Sequence, residues 1–219
     1  MDSRMILICI VILLIGYGCG LFQTGVIIGK AAGTDLKKEG SGNTGTTNAM
    51  RVLGAKSGIL VFLGDFLKCF IPCMIIHYGL RNVFGSWCVP LTIFCGLGVI
   101  LGHMFPFFLK FKGGKGVACA CAFGLALDWK MTVICLVIFA ILAVATKYVS
   151  LGSVIALSSM VVIEAIFLAA GISVFPMGLR ALCFVLMVII AALIVFAHRA
   201  NIRRLANGTE NKFHAHKKD

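Results

Sequence analysis

Three stretches of this chain combine residues able to hold an anion, and each abuts the end of an apolar run. The first is GSGNTGTTNAMR, from Gly40 to Arg51. Its glycines, Gly42 among them, let main-chain N–H groups approach a ligand closely. Ser41, Asn43, Thr46, Thr47 and Asn48 add hydroxyl and amide partners, and Arg51 adds a planar fork suited to phosphate. The second is GHMFPFFLKFKGGKGVA, from Gly102 to Ala118. Here Lys112, Gly113, Gly114, Lys115 and Gly116 lead straight into an apolar helical run, so an anion would meet a helix N-terminus and two ammonium groups. The stretch does not match the G-x-x-x-x-G-K-[ST] nucleotide loop. Lys110 fits a lysine snorkelling to the interface. The third is HRANIRRLANGTENK, from His198 to Lys212. His198 and Asn201, three apart, share a helical face and can address one ligand. A histidine at a helix end also serves as a cap. Together these residue types describe a site for phosphorylated substrates.

The elements that must position them lie in a membrane. Of 219 residues 60% are hydrophobic, and the mean hydropathy is +1.05. A soluble domain is usually ~45–50% apolar. A bilayer core needs roughly 20 helical residues. The candidates are Met5–Ile28, Ile59–Ile76, Trp87–Phe108, Leu151–Ala170 and Leu179–Ala197. Two shorter runs, Gly116–Leu127 and Met131–Thr146, flank a turn at Asp128-Trp129-Lys130. The N-terminal run exceeds the ~7–15 residues of a signal-peptide core and lacks an A-x-A exit, so it is expected to be a mature span.

Lysine and arginine decide the topology. With seven spans and the N-terminus outside, fifteen of the 20 fall on the cytoplasmic side. Arg4, Arg81, Lys130 and Arg180 fall outside, and Lys68 lies within a span. If the two short runs form one crossing, giving six spans with Lys130 inside one of them, the tally drops to nine against nine. The positive-inside bias therefore selects an odd number of crossings. The expected fold is an all-α polytopic transmembrane bundle of seven spans, with five spans plus a re-entrant hairpin as the alternative of equal sidedness. Either places all three polar runs, and Lys147–Ser153, at the cytoplasmic face. The chain is expected to form a single integral-membrane domain over residues 1–219. Its net charge of +12 is spread over short connections. It therefore points to sidedness and anionic lipid, with no nucleic-acid partner.

The ten cysteines lie mostly inside apolar runs without C-x-x-C or zinc-ligand spacing, and read as small hydrophobes. Asp65 and Lys68 are costly intramembrane charges whose three-residue spacing predicts a structural ion pair. Glu164, also within a span, has no evident partner.

These runs resemble the three signature motifs of the bacterial integral-membrane glycerol-3-phosphate acyltransferases that use acyl phosphate as donor. DFLK (Asp65 to Lys68) and KYVSLGS (Lys147 to Ser153) are supporting matches. The resemblance covers essentially the whole chain in order. It departs at Cys119, where a Thr is expected after GGKGVA, and at Lys147, where Arg is common.

What the resemblance implies is acyl transfer from acyl phosphate to the sn-1 hydroxyl of glycerol 3-phosphate, giving lysophosphatidic acid and phosphate in phospholipid biosynthesis. The site would face the cytoplasm at the bacterial inner membrane. Ser41 and Arg51 then match substrate-binding positions, Lys112 and Lys115 phosphate-side positions, and Ser150 or Ser153, His198 and Asn201 further site positions. The donor is already activated, so no cofactor, metal or covalent acyl-enzyme is expected. His198 or a substrate phosphate oxygen would take the hydroxyl proton. Related acyltransferases of another type use an H-x-x-x-x-D dyad. That spacing occurs here at His214 and Asp219, in a tail expected to be solvated, and is read as coincidence. A transporter of organic phosphate or another anion is the competing class. It would more commonly show repeats and midplane sites, whereas here the polar runs cluster at one face and no repeat is visible.

Overall fold

The computed structural model describes residues 2–212, and all regular structure in them is helical. His214 and Asp219, with the rest of the expected tail, lie outside the described residues. Six helical stretches are long and apolar enough to cross a membrane: Ser3–Ala31, Ala55–Gly79, Arg81–Leu109, Trp129–Thr146, Val149–Ala169 and Met177–Ala197. The eleven-residue Val117–Leu127 is also apolar. At 1.5 Å per residue it reaches only about half of a ~30 Å hydrocarbon core. The described residues fall into two units, one of residues 2–72 with 95–122 and another of 73–94 with 123–212.

The first unit begins with α1 (Ser3–Gly20), capped by the Asp2 carboxylate, and α2 (Thr24–Ala31). The expected continuous span is thus broken at residues 21–23. Gln23 explains the break. Its side-chain amide donates to the carbonyls of Gly20 and Gly102, at 3.1 and 3.2 Å, and so satisfies groups that an interrupted helix leaves open. After α3 (Thr46–Leu53) and α4 (Ala55–Met74), the chain returns to this unit through the C-terminal part of α6 (Cys88–Met104). The start of α7 (Val117–Leu127) closes the unit.

Helices α1 and α6 meet through glycines at four-residue spacing on both sides. A Cβ on Gly16 would run into the Cys95 carbonyl, and one on Gly20 into that of Val99. Conversely, Gly98 and Gly102 abut the main chain at Leu13 and Tyr17. In lipid there is little hydrophobic gain from joining two greasy helices, so close backbone packing supplies the attraction. Tyr17 completes the contact by donating to the Phe105 carbonyl at 2.9 Å. A small core of Leu36, Ala49 and Val61, with Ile28, Val52 and Leu53 around it, packs α3 onto α2.

The second unit contains the short α5 (Arg81–Phe84) and, further on, α8 (Trp129–Thr146), whose first turn is capped by Asp128. Then come α9 (Val149–Ala169), α10 (Arg180–Ala197) and α11 (Arg199–Ala206). Helix α9 packs against both α8 and α10. Its buried residues, including Ser153, Leu157, Met160, Glu164 and Phe167, recur at helical spacing and form one inward stripe. Opposite faces carry large exposed apolar side chains such as Val144 and Val162, as lipid contact requires. Glu164 does have a partner: Ser173 donates its hydroxyl to the carboxylate. All ten cysteines are thiols.

Candidate functional site

In the first unit the Gly40–Arg51 run folds back on the N-terminus of α3. Gly40 and Gly42 have φ of +60° and +70°, which explains their residue type. Asn48, almost fully buried, organises the turn. Its Oδ1 accepts the Ser41 N–H at 2.7 Å, and its Nδ2 donates to the carbonyls of Leu36 and Glu39, both at 3.0 Å. Asn43 accepts the Gly45 N–H at 2.8 Å. Both asparagine side chains, expected at a ligand, are thus engaged in holding the loop. Ser41 and Gly42 are exposed, while Thr46 and Arg51 are half-buried. The turn therefore exposes Ser41 on a frame fixed by Asn48, and Arg51 follows in the last turn of α3.

The second run divides in two. Gly102, His103 and Met104 are the last residues of α6, and Gly102 is a packing glycine. The loop beyond them bends through left-handed Lys110 and Phe111, with φ of 55° and 57°. It then folds back so that Gly113 N–H reaches the Met104 carbonyl at 2.9 Å, and Gly114 N–H reaches that of His103 at 3.1 Å. Lys112 is exposed, Lys115 half-buried, and Gly116, with φ +80°, leads into α7. Both lysines thus lie in the loop that leads into α7, within this unit.

Behind that loop lies a polar network. Lys68 and Asp65 form the expected ion pair at 2.7 Å, with side chains 6% and 3% exposed. The ammonium also reaches the Phe22 carbonyl at 2.6 Å and His103 Nδ1 at 2.8 Å. Cys119, standing where a hydroxyl is expected, donates its thiol to the Asp65 carbonyl at 3.3 Å.

In the second unit, the residues singled out from α9 to α11 are all buried: Ser150, Ser153, His198 and Asn201. His198 ends α10. Its Nδ1 lies 2.8 Å from the Ile194 carbonyl, which can only accept, so Nδ1 carries hydrogen and the neutral ring has its lone pair on Nε2. Ser153 donates to the Val149 carbonyl of its own helix at 2.8 Å. Ser150, in contrast, donates to Glu210 at 2.9 Å, Asn201 donates to the same oxygen at 2.7 Å, and Arg204 donates to the other at 2.7 Å. Burial opposes ionisation of Glu210, but the bonds from Asn201, Arg204 and Ser150 outweigh it and hold the carboxyl below its ordinary range.

Sequence reasoning missed His103 and Glu210. Both lie inside the runs that were singled out. However, His103 is 35 positions from Lys68 and Glu210 is 60 from Ser150, beyond any helical spacing rule.

Comparison with known proteins shows the family to which the chain belongs. Residues 10–208 match the family described as glycerol-3-phosphate acyltransferase. The chain is 40% identical over 205 residues to the glycerol-3-phosphate acyltransferase of Geotalea daltonii, covering 93% of this chain and 97% of that one. It is 43% identical over 198 residues to that of Fusobacterium nucleatum, covering 90% and 94%. Among solved structures it resembles PlsY (YgiH), an integral membrane glycerol 3-phosphate acyltransferase, in its glycerol 3-phosphate form. The TM-score there is 0.79 at 38% identity, covering 94% of this chain and 96% of that one. The lysophosphatidic acid form gives 0.77 at 37%, with the same coverage. By a match spanning most of its sequence and relatives aligned along nearly their whole length, this chain is a member of the glycerol-3-phosphate acyltransferase family, an integral-membrane enzyme.

Proposed function

We propose that the enzyme transfers a fatty acyl group from acyl phosphate to the sn-1 hydroxyl of glycerol 3-phosphate, releasing lysophosphatidic acid and inorganic phosphate. The observation that carries this is the near full-length likeness to an acyltransferase known in both a glycerol 3-phosphate form and a lysophosphatidic acid form. The whole chain acts as one acyltransferase domain. It crosses the bacterial inner membrane an odd number of times, with its N-terminus outside, its C-terminus inside and its chemistry at the cytoplasmic face. The charge asymmetry of the connections supports that sidedness.

In the reaction, the glycerol oxygen forms a bond to the acyl carbonyl carbon. The bond from that carbon to the bridging oxygen breaks, and phosphate leaves with the electron pair. Lys112 and Lys115, with the main chain of Gly113, Gly114 and Gly116, are assigned to the donor's phosphate and to the developing oxyanion. Arg51 and Ser41, with the turn of Gly42, Asn43, Thr46 and Asn48, are assigned to substrate phosphate and orientation. Asn201, Ser150 and Ser153 are assigned to the acceptor side. His198 Nε2 is assigned as the base that takes the hydroxyl proton, which its Nδ1–H tautomer suits.

The test is turnover by purified protein in detergent, with radiolabelled glycerol 3-phosphate and either acyl phosphate or acyl-CoA. Labelled lysophosphatidic acid from acyl phosphate is expected, and its absence contradicts the assignment. Impermeant labelling of Ser41→Cys, Lys115→Cys and His198→Cys in sealed vesicles checks sidedness. Reaction from opposite faces overturns it.

A further inference from the structure

We propose that the buried Asp65–Lys68–His103 chain is a positioning device for the Gly113–Gly114 turn, and through it for Lys112 and Lys115. This rests on the assignment of that turn to the donor's phosphate. An ammonium has three N–H donors. Those of Lys68 are matched by Asp65 Oδ1, the Phe22 carbonyl and His103 Nδ1, at 2.7, 2.6 and 2.8 Å. None is left for a passing anion, so Lys68 is structural support and not a substrate ligand.

The same bond fixes the histidine. An ammonium only donates, so His103 Nδ1 accepts and the ring hydrogen sits on Nε2. The Nε2 edge is the one that meets the loop: a Cβ on Gly114 would overlap it. On the main-chain side, the His103 carbonyl receives the Gly114 N–H at 3.1 Å and the Met104 carbonyl receives that of Gly113 at 2.9 Å. One residue thus holds the turn by its ring and by its carbonyl. Gln23 steadies that end of α6 through the Gly102 and His103 carbonyls, at 3.2 and 3.3 Å.

The far end of the loop is tied to the same network, because the Cys119 thiol of α7 donates to the Asp65 carbonyl. Two successive non-glycine residues in the left-handed region between these ties, Lys110 and Phe111, need such constraint to keep their conformation. A purely apolar contact at this depth would avoid desolvating two charges. What the charged chain adds is direction: it orients one ring edge against one glycine.

The test measures KM for acyl phosphate and for glycerol 3-phosphate separately, with melting temperature, for Lys68→Met, His103→Ala, Gly114→Ala and the His103→Ala/Gly114→Ala pair. Each single variant is expected to raise KM for acyl phosphate about tenfold or more, with KM for glycerol 3-phosphate within about twofold. Inhibition by inorganic phosphate should weaken in step. Because removing the ring removes the overlap, Gly114→Ala should cost much less in the His103→Ala background than in the wild type. Equal rises in both KM values, full additivity, or lowered melting with unchanged kinetics would each overturn the proposal. If Lys68→Met fails to fold, Asp65→Asn/Lys68→Met, which leaves no lone buried charge, carries the same expectation. A wild type that does not use acyl phosphate defeats the underlying assignment as well. A wild type that does, beside unaffected variants, defeats the positioning role alone.

Discussion

The Asn201 side-chain amide donates to Glu210 Oε1 at 2.7 Å, so a carboxylate from the segment beyond α11 fixes the rotamer of a residue on it. Ser150 of α9 reaches the same oxygen, and Glu210 therefore ties α9 to α11 through one atom. Glu210→Ala leaves Ser150 and Asn201 without that acceptor. The expected stability loss is about 2 kcal/mol, in the range of hydrogen bonds to charged groups. It should bring a fall in kcat/KM, and Glu210→Gln should retain part of both. Thermal unfolding in detergent beside steady-state rates checks this.

The same carboxylate sets an acid limit. Its folded pKa is depressed, so its contribution is complete above the unfolded value of about 4.3 and is lost as pH falls through the lower folded value. From pH 6 to 8 the contribution should stay constant (on the order of the full effect). Melting temperature followed toward acid should show an excess fall for wild type over Glu210→Gln. Parallel curves contradict the assignment.

Asn48 offers a sharper test, because it uses an acceptor and two donors at once. Asn48→Asp keeps the shape but turns donors toward carbonyls into acceptors. It should destabilise at least as much as Asn48→Ala, by about 1–3 kcal/mol for each buried group left unmatched. Melting curves of the two variants decide it. A well-tolerated Asp would mean the Leu36 and Glu39 carbonyls do not need the amide.

At the α1–α6 contact, Gly98→Val places a branched side chain against the main chain at Leu13 and Tyr17. The cost should exceed the ~1–3 kcal/mol typical of overpacking, since backbone cannot give way as a side-chain tip can. The same change at Gly178, which has open space around it, should be nearly silent. Yield of monodisperse protein and melting temperature distinguish the two sites.

The candidate residues stand out in the sequence because they break the apolar pattern. Lys112 and Lys115 among glycines, Ser41 and Arg51 in a polar run, and the three-residue spacing of Asp65 and Lys68 all contrast with their surroundings. The Asp65–Lys68 pair is found as expected. His103 and Glu210 were overlooked because their partners lie far along the chain. The break at residues 21–23 was hidden for a different reason: Leu21, Phe22 and Gln23 are not helix breakers, and the interruption is stabilised by Gln23 reaching carbonyls on another helix. Gly16, Gly20, Gly98 and Gly102 were visible only as glycines in greasy runs. Their meaning depends on which helix stands opposite.

The seam between α1 and α6 is made by main chain facing main chain. Side chains elsewhere on these two helices, such as Leu7 and Leu14, point outward and take no part in it. Fluidity and thickness of the surrounding lipid can therefore change, and the outward residues with them, while the frame beneath the GGKG segment keeps its spacing.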